Sequence, residues 1–189
     1  MYVITLGSET LRAAQSGCSD AFRCLYETYQ PMVARTLYYL CPRDQSLADL
    51  EQEVFLKIFK KIGQFRQESQ LSTWIYRITV NTAMDHVRRL RPFSELGQWI
   101  HEWFENDEQA PDTQLIRREQ VGQVRLALAE LSPKLQAILV LRYVEDRSYE
   151  EIGRILDIQT GTVASRLHRA HQSLARAYAR KTAAREVPL

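Results

Sequence analysis

Positive charge gathers in the carboxyl-terminal part of the chain in a pattern that suits binding to a polyanion. After Asp157 the sequence has no acidic residue until Glu186. Six cations lie between them, namely Arg166, Arg169, Arg176, Arg180, Lys181 and Arg185. Cations beside phosphates gain Coulomb energy and release counterions, whereas a carboxylate in the same place would be repelled. Charge alone also fits a solvated basic helix, so the elements that position these residues decide between the two interpretations.

Two helices joined by a short turn are predicted to position the cations. Ser148 and Glu151 have the spacing of a capping box, which starts a helix at residue 149. Asp157 tolerates the left-handed backbone of a tight turn, and Thr160 is expected to cap the helix that follows. Gly153 is small at a point where the two helices must approach closely. This order predicts a helix-turn-helix, whose second helix enters a DNA groove.

The second of these helices has one apolar and one polar face. Val163, Leu167, Ala170 and Leu174 recur at the spacing of an inward stripe. The side chains on the other faces include groups that can contact phosphates or reach base edges. The candidate duplex-binding residues are Thr162, Ser165, Arg166, His168, Arg169 and Gln172.

The sequence contains no pattern that favours catalysis. His168 and His171 are three residues apart and could form a metal pair, but no carboxylate or cysteine is positioned to complete a site. The three cysteines, at positions 18, 24 and 41, form no CxxC pair, which favours reduced thiols over a disulfide or a zinc site. Neither a Gly-rich phosphate loop nor a persuasive nucleophile–base pair is present. We therefore expect a protein that is not an enzyme and that has no cofactor and no metal.

Charge is unevenly distributed along the 189 residues, although the net charge is only +2. Residues 1–91 hold 12 Lys and Arg against 9 Asp and Glu, and residues 117–189 hold 13 against 8. Residues 92–116 hold six acidic residues, no Lys or Arg, two prolines and a glycine. This composition predicts an acidic linker between two mildly basic domains. The aromatic patch at 99–104 is unusual for a linker, and its role is not indicated.

Helical spacing and the lack of strand patterns predict an all-α fold of two small helical domains, the carboxyl-terminal one with the helix-turn-helix. In the amino-terminal domain Asp20 is expected to cap a helix that runs to about residue 40, with Pro31 as a site for a kink. Ser46 and Gly63 bound a second helix, and a third begins its inner stripe at Leu71 and ends near residue 91.

No apolar run approaches the ~20 residues of a membrane span. The first ten residues, MYVITLGSET, lack the basic start and the long apolar stretch of a signal peptide. We therefore expect a cytoplasmic protein without direct membrane insertion.

Residues 159–170, QTGTVASRLHRA, resemble a specific signature. They are similar to the recognition segment of bacterial RNA polymerase sigma factors of the extracytoplasmic-function (ECF) group, in the sigma-70 family. LSP at 131–133, LRY at 141–143 and YEEI at 149–152 fit the same domain, which in that family binds the −35 promoter element. Asp157 stands where the family often has Gly, and Ala164 where Lys or Arg is frequent, so one DNA contact of the family is expected to be missing.

Residues 49–55, DLEQEVF, resemble the sigma-factor helix that grips the clamp helices of the largest polymerase subunit. The resemblance implies that Asp49, Gln52, Glu53 and Phe59 bind core polymerase. A polar helix face with one exposed aromatic suits docking onto another protein. From the residues alone, an ordinary amphipathic surface helix remains the alternative.

Residues 65–89 closely resemble the promoter-melting segment of the same family. A polar loop can hydrogen-bond the edge of an unstacked base, and cationic groups can support a single strand. The implied residues for binding and melting the −10 element are Arg66, Gln67, Glu68, Ser69, Gln70, Arg77, Asn81, Arg88 and Arg89. We expect Trp74 to pack in the core and Asp85 to pair with Arg88 or Arg89 within the helix.

The resemblance spans residues 17–91 and 115–180 and implies a sigma factor. Such a protein binds core RNA polymerase through the clamp helices of the largest subunit and the flap of the second, recognises the −35 and −10 elements of promoter DNA, and promotes strand opening. The family also implies control by an anti-sigma factor, which in some members is anchored to a membrane. The alternative is a helix-turn-helix regulator that binds DNA without polymerase, although residues 17–91 fit a dimerisation or sensing domain poorly.

Overall fold

The described part of the chain is helical throughout its regular structure. The computed structural model describes residues 6–41, 46–90 and 112–183. Those residues form eight α-helices and no strand: α1 (Ser8–Gln15), α2 (Ser19–Leu40), α3 (Leu47–Lys61), α4 (Leu71–Leu90), α5 (Asp112–Glu130), α6 (Pro133–Leu139), α7 (Tyr149–Leu156) and α8 (Thr160–Ala183). A 3-10 turn at Ile62–Gln64 follows α3, and a wide π-type turn at Val140–Val144 continues α6. The predicted all-α class is confirmed.

The helices form two groups that pack against each other. The first helix group comprises α1–α4 and the second comprises α5–α8. Helices α2 and α4 of the first group contact α5, α6 and α7 of the second. Buried apolar side chains form a continuous cluster that extends through both groups. The two-domain architecture predicted from the sequence is therefore present, and the domains lie in direct contact.

Helix α2 is the central element of the first group. Leu25, Val33 and Leu37 are at most 1 % exposed, so this apolar stripe faces the core. The helix begins at Ser19, so the predicted cap at Asp20 is wrong. Asp20 lies instead in the first turn, where a negative charge interacts favourably with the helix dipole. The helix continues through Pro31, which lies on its exposed side.

Helix α1 was not predicted from the sequence. Leu11 is buried against the first group, and Gly17, with φ of 90°, makes the turn into α2. The Gln15 side-chain amide donates to the carbonyl oxygens of Ile62 and Phe65, at 3.1 and 2.8 Å. Helix α1 therefore fixes the segment that leads from α3 into the predicted melting loop.

The second group follows most of its predicted boundaries. Ser132 occupies the cap position of α6 and Pro133 its first turn, as the sequence indicates. Helix α5 begins at Asp112, so the last residues of the predicted linker 92–116 are helical. The rest of that linker, including the aromatic patch at 99–104, lies outside the described residues. Within the described ranges no helix combines the length and the hydropathy that crossing a membrane requires.

Candidate nucleic-acid interface

The capping box that starts α7 is confirmed. The Ser148 hydroxyl accepts the backbone N–H of Glu151 at 3.2 Å, and the Glu151 carboxylate accepts the backbone N–H of Ser148 at 2.8 Å. Arg147 also donates to the Glu151 carboxylate, at 3.0 Å. Two backbone donors that a helix start leaves unpaired are satisfied in this way. These contacts fix the start of the helix that precedes the turn.

The turn between α7 and α8 depends on Asp157 and Gly153. Asp157 adopts the left-handed conformation (φ 54°, ψ 55°), as predicted. The backbone N–H of Ile158 then donates to the carbonyl of Gly153 at 3.0 Å. A Cβ on Gly153 would lie 2.8 Å from the carbonyl oxygen of Ile158. The backbone of the turn therefore requires the small residue. The sequence predicted a different reason, a close approach of the two helices.

Helix α8 begins one residue away from the predicted cap. The carbonyl of Gln159 accepts the N–H of Val163 at 3.1 Å, so the cap position is Gln159 and Thr160 is the first helical residue. Val163 and Leu167 are buried, which confirms the inward stripe. Because this stripe faces the core, the opposite side of α8 faces away from the protein.

The six candidate duplex-binding residues lie along the side of α8 that is turned away from the core. Four of them are exposed, namely Ser165, His168, Arg169 and Gln172, and Thr162 and Arg166 are half-buried. Arg169 donates within its own helix, to the carbonyl of Ser165 at 3.4 Å. His168 Nε2 lies 3.0 Å from Gln172 Nε2, whereas His171 Nε2 lies 2.9 Å from the Tyr143 hydroxyl. The two histidines thus have separate partners.

The predicted melting loop lies between the 3-10 turn and α4. Arg66, Gln67, Glu68 and Gln70 are exposed and Ser69 is half-buried. Gln67 has φ of 58°, a conformation that is uncommon outside glycine and that recurs at functional sites. The loop therefore presents its polar side chains from a backbone that has an uncommon conformation at Gln67.

The loop is held at its base by aromatic packing. Trp74 is half-buried, with its ring centroid 5.3 Å from that of Phe65, in agreement with the predicted core role.

Three of the four candidate −10 residues on α4 have partners within the protein. Arg88 pairs with Asp85 at 3.6 Å, which confirms the predicted intrahelical pair. Arg89 lies 3.7 Å from the Glu53 carboxylate of α3. Asn81 is exposed. Arg77 donates to the carbonyl oxygen of Arg154, in α7 of the second group.

Helices α2 and α3 share an exposed apolar patch, of which only Phe59 was predicted from the sequence. Phe59 and Leu56 are 52 % and 58 % exposed, and the ring centroids of Phe59 and Phe22 are 4.9 Å apart. Tyr26 adds a further exposed ring, and its hydroxyl donates to Glu51 at 3.1 Å. The signal for Leu56 was an apolar side chain outside the inner stripe of α3, whereas Phe22 and Tyr26 follow the apolar spacing of α2.

The polar candidates of α3 border this patch. Asp49 and Gln52 are exposed, whereas Glu53 is half-buried. Lys57 lies 2.7 Å from the Glu53 carboxylate, and this hydrogen bond lowers the pKa of Glu53. Glu53 therefore contributes to the packing of α3 on α4 as well as to the candidate docking face.

A buried carboxylate that the sequence did not mark joins the two helix groups. Glu145 follows the π-type turn, and its side chain is 0 % exposed. Arg35 of α2 donates twice to it, from Nε at 2.9 Å and from Nη2 at 2.6 Å. The Tyr76 hydroxyl of α4 donates at 2.6 Å, and Thr36 Oγ1 lies 3.1 Å away.

The hydrogen bonds to the Glu145 carboxylate raise the pKa of Arg35. Burial, followed by the charge of Glu145, raises the pKa of Tyr76, so its hydroxyl remains a donor.

Two more polar contacts connect the groups at the carboxyl end of α2. The side-chain amide of the buried Gln136 donates to the carbonyl oxygens of Tyr39 and Leu40, at 2.8 and 3.0 Å. The Arg125 guanidinium stacks over the Tyr38 ring, 3.4 Å from its centroid. Carbonyls at the end of a helix lack partners in the helix itself, so Gln136 satisfies acceptors that burial would otherwise leave unpaired.

Comparisons with known proteins match both helix groups. Residues 25–93 match the family described as sigma-70 region 2, and residues 122–174 match sigma-70, region 4. The chain is similar to the RNA polymerase sigma-H factor of Pseudomonas aeruginosa, with 31 % identity over 89 % of this chain and 92 % of that protein. It is also 33 % identical to the ECF RNA polymerase sigma-E factor of Escherichia coli K12, over 85 % of this chain and 87 % of that protein.

Solved structures share the fold. The chain resembles CnrH in complex with the cytosolic domain of CnrY, with a TM-score of 0.66, 19 % identity, and coverage of 89 % of this chain and 94 % of that one. It also resembles the sigma factor RpoE in complex with the anti-sigma factor NepR from Bartonella quintana, with a TM-score of 0.61, 19 % identity, and coverage of 82 % and 95 %.

The geometry of the turn predicts that Gly153→Ala destabilises the protein. The added Cβ meets a backbone carbonyl, so we expect the free energy of unfolding to fall by about 1–3 kcal/mol in urea denaturation. Gly122→Ala in α5 is the matched control, because a Cβ there has no neighbour within 4 Å. It should stabilise the chain by about 0.5–1 kcal/mol. Equal stability of Gly153→Ala and the unmodified chain would show that the turn does not require glycine.

Proposed function

Because this chain belongs to the sigma-70 family, within the ECF sigma factors of RNA polymerase, we propose that it directs transcription initiation as a non-catalytic subunit. In this function it binds core RNA polymerase, recognises the −35 and −10 promoter elements and promotes strand opening. The observation that carries the proposal is the helix-turn-helix of α7 and α8, whose outer face is polar and cationic, in a chain that also matches the family in its first group. Core polymerase supplies the chemistry of RNA synthesis.

The second helix group is proposed to bind the −35 element as a duplex. Helix α8 has no acidic residue in its sequence and carries exposed Arg169 and Gln172. Arg can donate to guanine O6 and N7, and Gln can pair with adenine N6 and N7. The first residues of a recognition helix reach base edges, whereas more distant cations contact phosphates. Ala164 provides no polar contact, so this chain has one fewer side chain for DNA than many relatives.

The first helix group is proposed to hold the −10 element after its strands part. An unstacked base is costly unless a pocket receives it, and the loop at 66–70 offers amide, hydroxyl and guanidinium groups. Asn81 and the arginines of α4 extend this polar surface along the helix. Because the group binds a parted strand better than a duplex, it shifts the equilibrium towards melting without any covalent step.

The exposed patch on α2 and α3 is proposed to dock on core polymerase. Phe22, Tyr26, Leu56 and Phe59 supply apolar and aromatic area, and Asp49 and Gln52 border it with polar groups. Aromatic anchors surrounded by a polar rim are typical of protein interfaces. The clamp helices of the largest subunit are the proposed partner, with the flap of the second subunit contacting the second group.

We further propose that an anti-sigma factor controls this protein in the cytoplasm, where promoter DNA lies. Support comes from the sigma factor RpoE of Bartonella quintana, which shares the fold and was solved in complex with the anti-sigma factor NepR. The alternative function is a helix-turn-helix regulator that acts without polymerase.

Run-off transcription distinguishes these functions. Purified core polymerase is supplied with a pool of promoters, with and without the chain. A sigma factor produces new defined transcripts only when both proteins are present. Strong sequence-specific DNA binding by the chain alone, without such transcripts, would support the regulator instead.

Arg169→Ala is expected to weaken initiation from promoters that require the −35 element. Loss of one base contact costs about 1–3 kcal/mol, or roughly 5- to 150-fold in the initiation rate at limiting holoenzyme. Arg176→Ala is the matched control, because it removes the same charge about 10 Å further along the helix. Its effect should be smaller and independent of the −35 sequence. Equal effects of the two changes would place base recognition elsewhere.

Gln52→Ala combined with Phe59→Ala is expected to lower the affinity for core polymerase by at least about tenfold, because it removes a polar contact and an aromatic anchor. Fluorescence anisotropy of the labelled chain titrated with core polymerase measures this affinity. Arg12→Ala, exposed on α1, is the control and should leave it unchanged. Unchanged affinity of the double variant would assign docking to another face.

A further inference from the structure

We infer that Gln15 of α1 is a positioning residue for the candidate melting loop at 66–70. It lies outside every motif that the sequence analysis assigned, and its amide contacts the protein backbone rather than DNA. It holds the peptide group from which the loop starts, so the polar side chains of the loop meet an unstacked base at a lower cost of ordering. This inference rests on the proposed function, because it concerns how the first helix group binds a parted −10 strand.

The side-chain amide of Gln15 closes the 3-10 turn that precedes the loop. Its nitrogen donates to the carbonyl oxygen of Ile62, where the turn begins, at 3.1 Å, and to that of Phe65, which follows the turn, at 2.8 Å. The N–H of Phe65 donates to the same Ile62 carbonyl at 3.1 Å. A side-chain amide has two N–H donors, and here each has an acceptor. One nitrogen therefore joins both ends of the turn.

The hydrogen bond to Phe65 sets the direction in which the loop leaves the turn. The carbonyl of Phe65 and the N–H of Arg66 belong to one planar peptide group, so holding the carbonyl also orients the backbone of Arg66. The Phe65 ring is held separately, because it is buried and its centroid lies 5.3 Å from that of Trp74. Packing of the ring leaves rotation about the Cα–C bond of Phe65 unconstrained. The amide of Gln15 therefore supplies a constraint that the aromatic contact does not.

Helix α1 is itself fixed at the end that carries Gln15. Ala14 is 2 % exposed. The N–H of Gly17 donates to the carbonyl of Ala14 at 3.1 Å, and the N–H of Cys18 donates to that of Ala13 at 3.0 Å. These two bonds, with Gly17 at φ of 90°, form the Schellman arrangement that ends many helices. The side chain of Gln15 therefore starts from a backbone of defined geometry.

The loop has little other means of holding one conformation. Four of its five residues are exposed, and Gln67 has the uncommon φ of 58°. At its far end the carbonyl of Gln70 accepts the N–H of Trp74 at 3.2 Å, which joins the loop to α4. Exposed segments with few buried contacts open at a low cost, and ordering them on binding lowers affinity. A start that is already fixed by Gln15 reduces this loss.

Gln15→Met tests the inference because it keeps the length of the side chain and removes both donors. In hydrogen–deuterium exchange of the free full-length chain, we expect the amides of residues 65–70 to exchange about three- to tenfold faster. The amides in the second half of α4 should be unchanged. This measurement needs neither polymerase nor DNA.

Two DNA probes separate positioning from general stability. Both carry the −35 element of a promoter that the chain and core polymerase transcribe in the run-off assay. The duplex probe ends before the −10 element, whereas the forked probe continues into a single-stranded −10 segment. For the complex of core polymerase with Gln15→Met, we expect the affinity for the forked probe to fall about tenfold and that for the duplex probe to stay the same.

A conservative variant and a neighbouring one complete the experiment. Gln15→Lys restores N–H donors on a long side chain, so loop exchange should return to the rate of the unmodified chain. Ser16→Ala is the matched control, because it removes a side-chain hydrogen bond at the next position whose acceptor, the carbonyl of Ala13 at 2.9 Å, lies within α1. It should change neither loop exchange nor the ratio of the two affinities.

Three results would overturn the inference. Equal loop exchange in Gln15→Met and the unmodified chain would show that the amide does not hold the loop. Faster exchange with an unchanged ratio of affinities would show that order in the loop is not used to bind a strand. An equal loss of affinity for both probes would give Gln15 a general structural role instead.

A failure of the proposed function has a different signature. An unmodified chain that does not bind core polymerase, or whose complex binds both probes equally well, would remove the strand-binding role of the loop. The exchange measurement would still decide whether Gln15 holds the loop, because it is made on the free chain.

Discussion

A carboxylate buried between two domains requires hydrogen-bond donors, and in this protein the donors lie across the interface. Glu145 comes from the second helix group, whereas Arg35 and Tyr76 come from the first. The pair joins residues 110 positions apart, so the contact between the two helix groups depends in part on this one side chain. This contact helps to fix the positions of the candidate duplex-binding helix and of the candidate melting loop relative to each other.

The two candidate DNA surfaces differ because their targets differ. Helix α8 presents a rigid face with cations and amides, which suits the fixed spacing of base edges in a duplex groove. The loop at 66–70 is irregular, and Gln67 adopts a left-handed backbone, which suits a base that has left its stack. One chain thus contains a regular element, proposed for intact DNA, and an irregular element, proposed for parted strands.

Local patterns in the sequence predicted the local structure well. The capping box of Ser148 and Glu151, the left-handed Asp157 and the inward stripe of α8 all depend on residues within a few positions of each other. The cap of α2 lies two residues before the predicted one and the cap of α8 lies one residue before it, because helix ends are less sharply determined by the local sequence than the helices themselves. The candidate site residues were found mainly through resemblance to a family, since charge and spacing alone left a solvated helix as an alternative.

Contacts between distant residues could not be predicted in this way. Glu145 looks like an ordinary surface acid in a polar turn, and no period or spacing connects it to Arg35. Gln136 gives no local sign that it pairs with the end of α2. Helix α1 was missed because it is short and derives its stability from packing on α2 and from Gln15, whose acceptors lie about 50 residues away.

The attachment of Gln15 to the carbonyls of Ile62 and Phe65 has a practical meaning for work with this protein. The family match begins at residue 25, so a shortened chain that starts there would keep every matched position. It would nevertheless lose the side chain that braces the entrance to the loop at 66–70. Truncation of the amino terminus beyond Gln15 therefore acts on a surface far away in sequence.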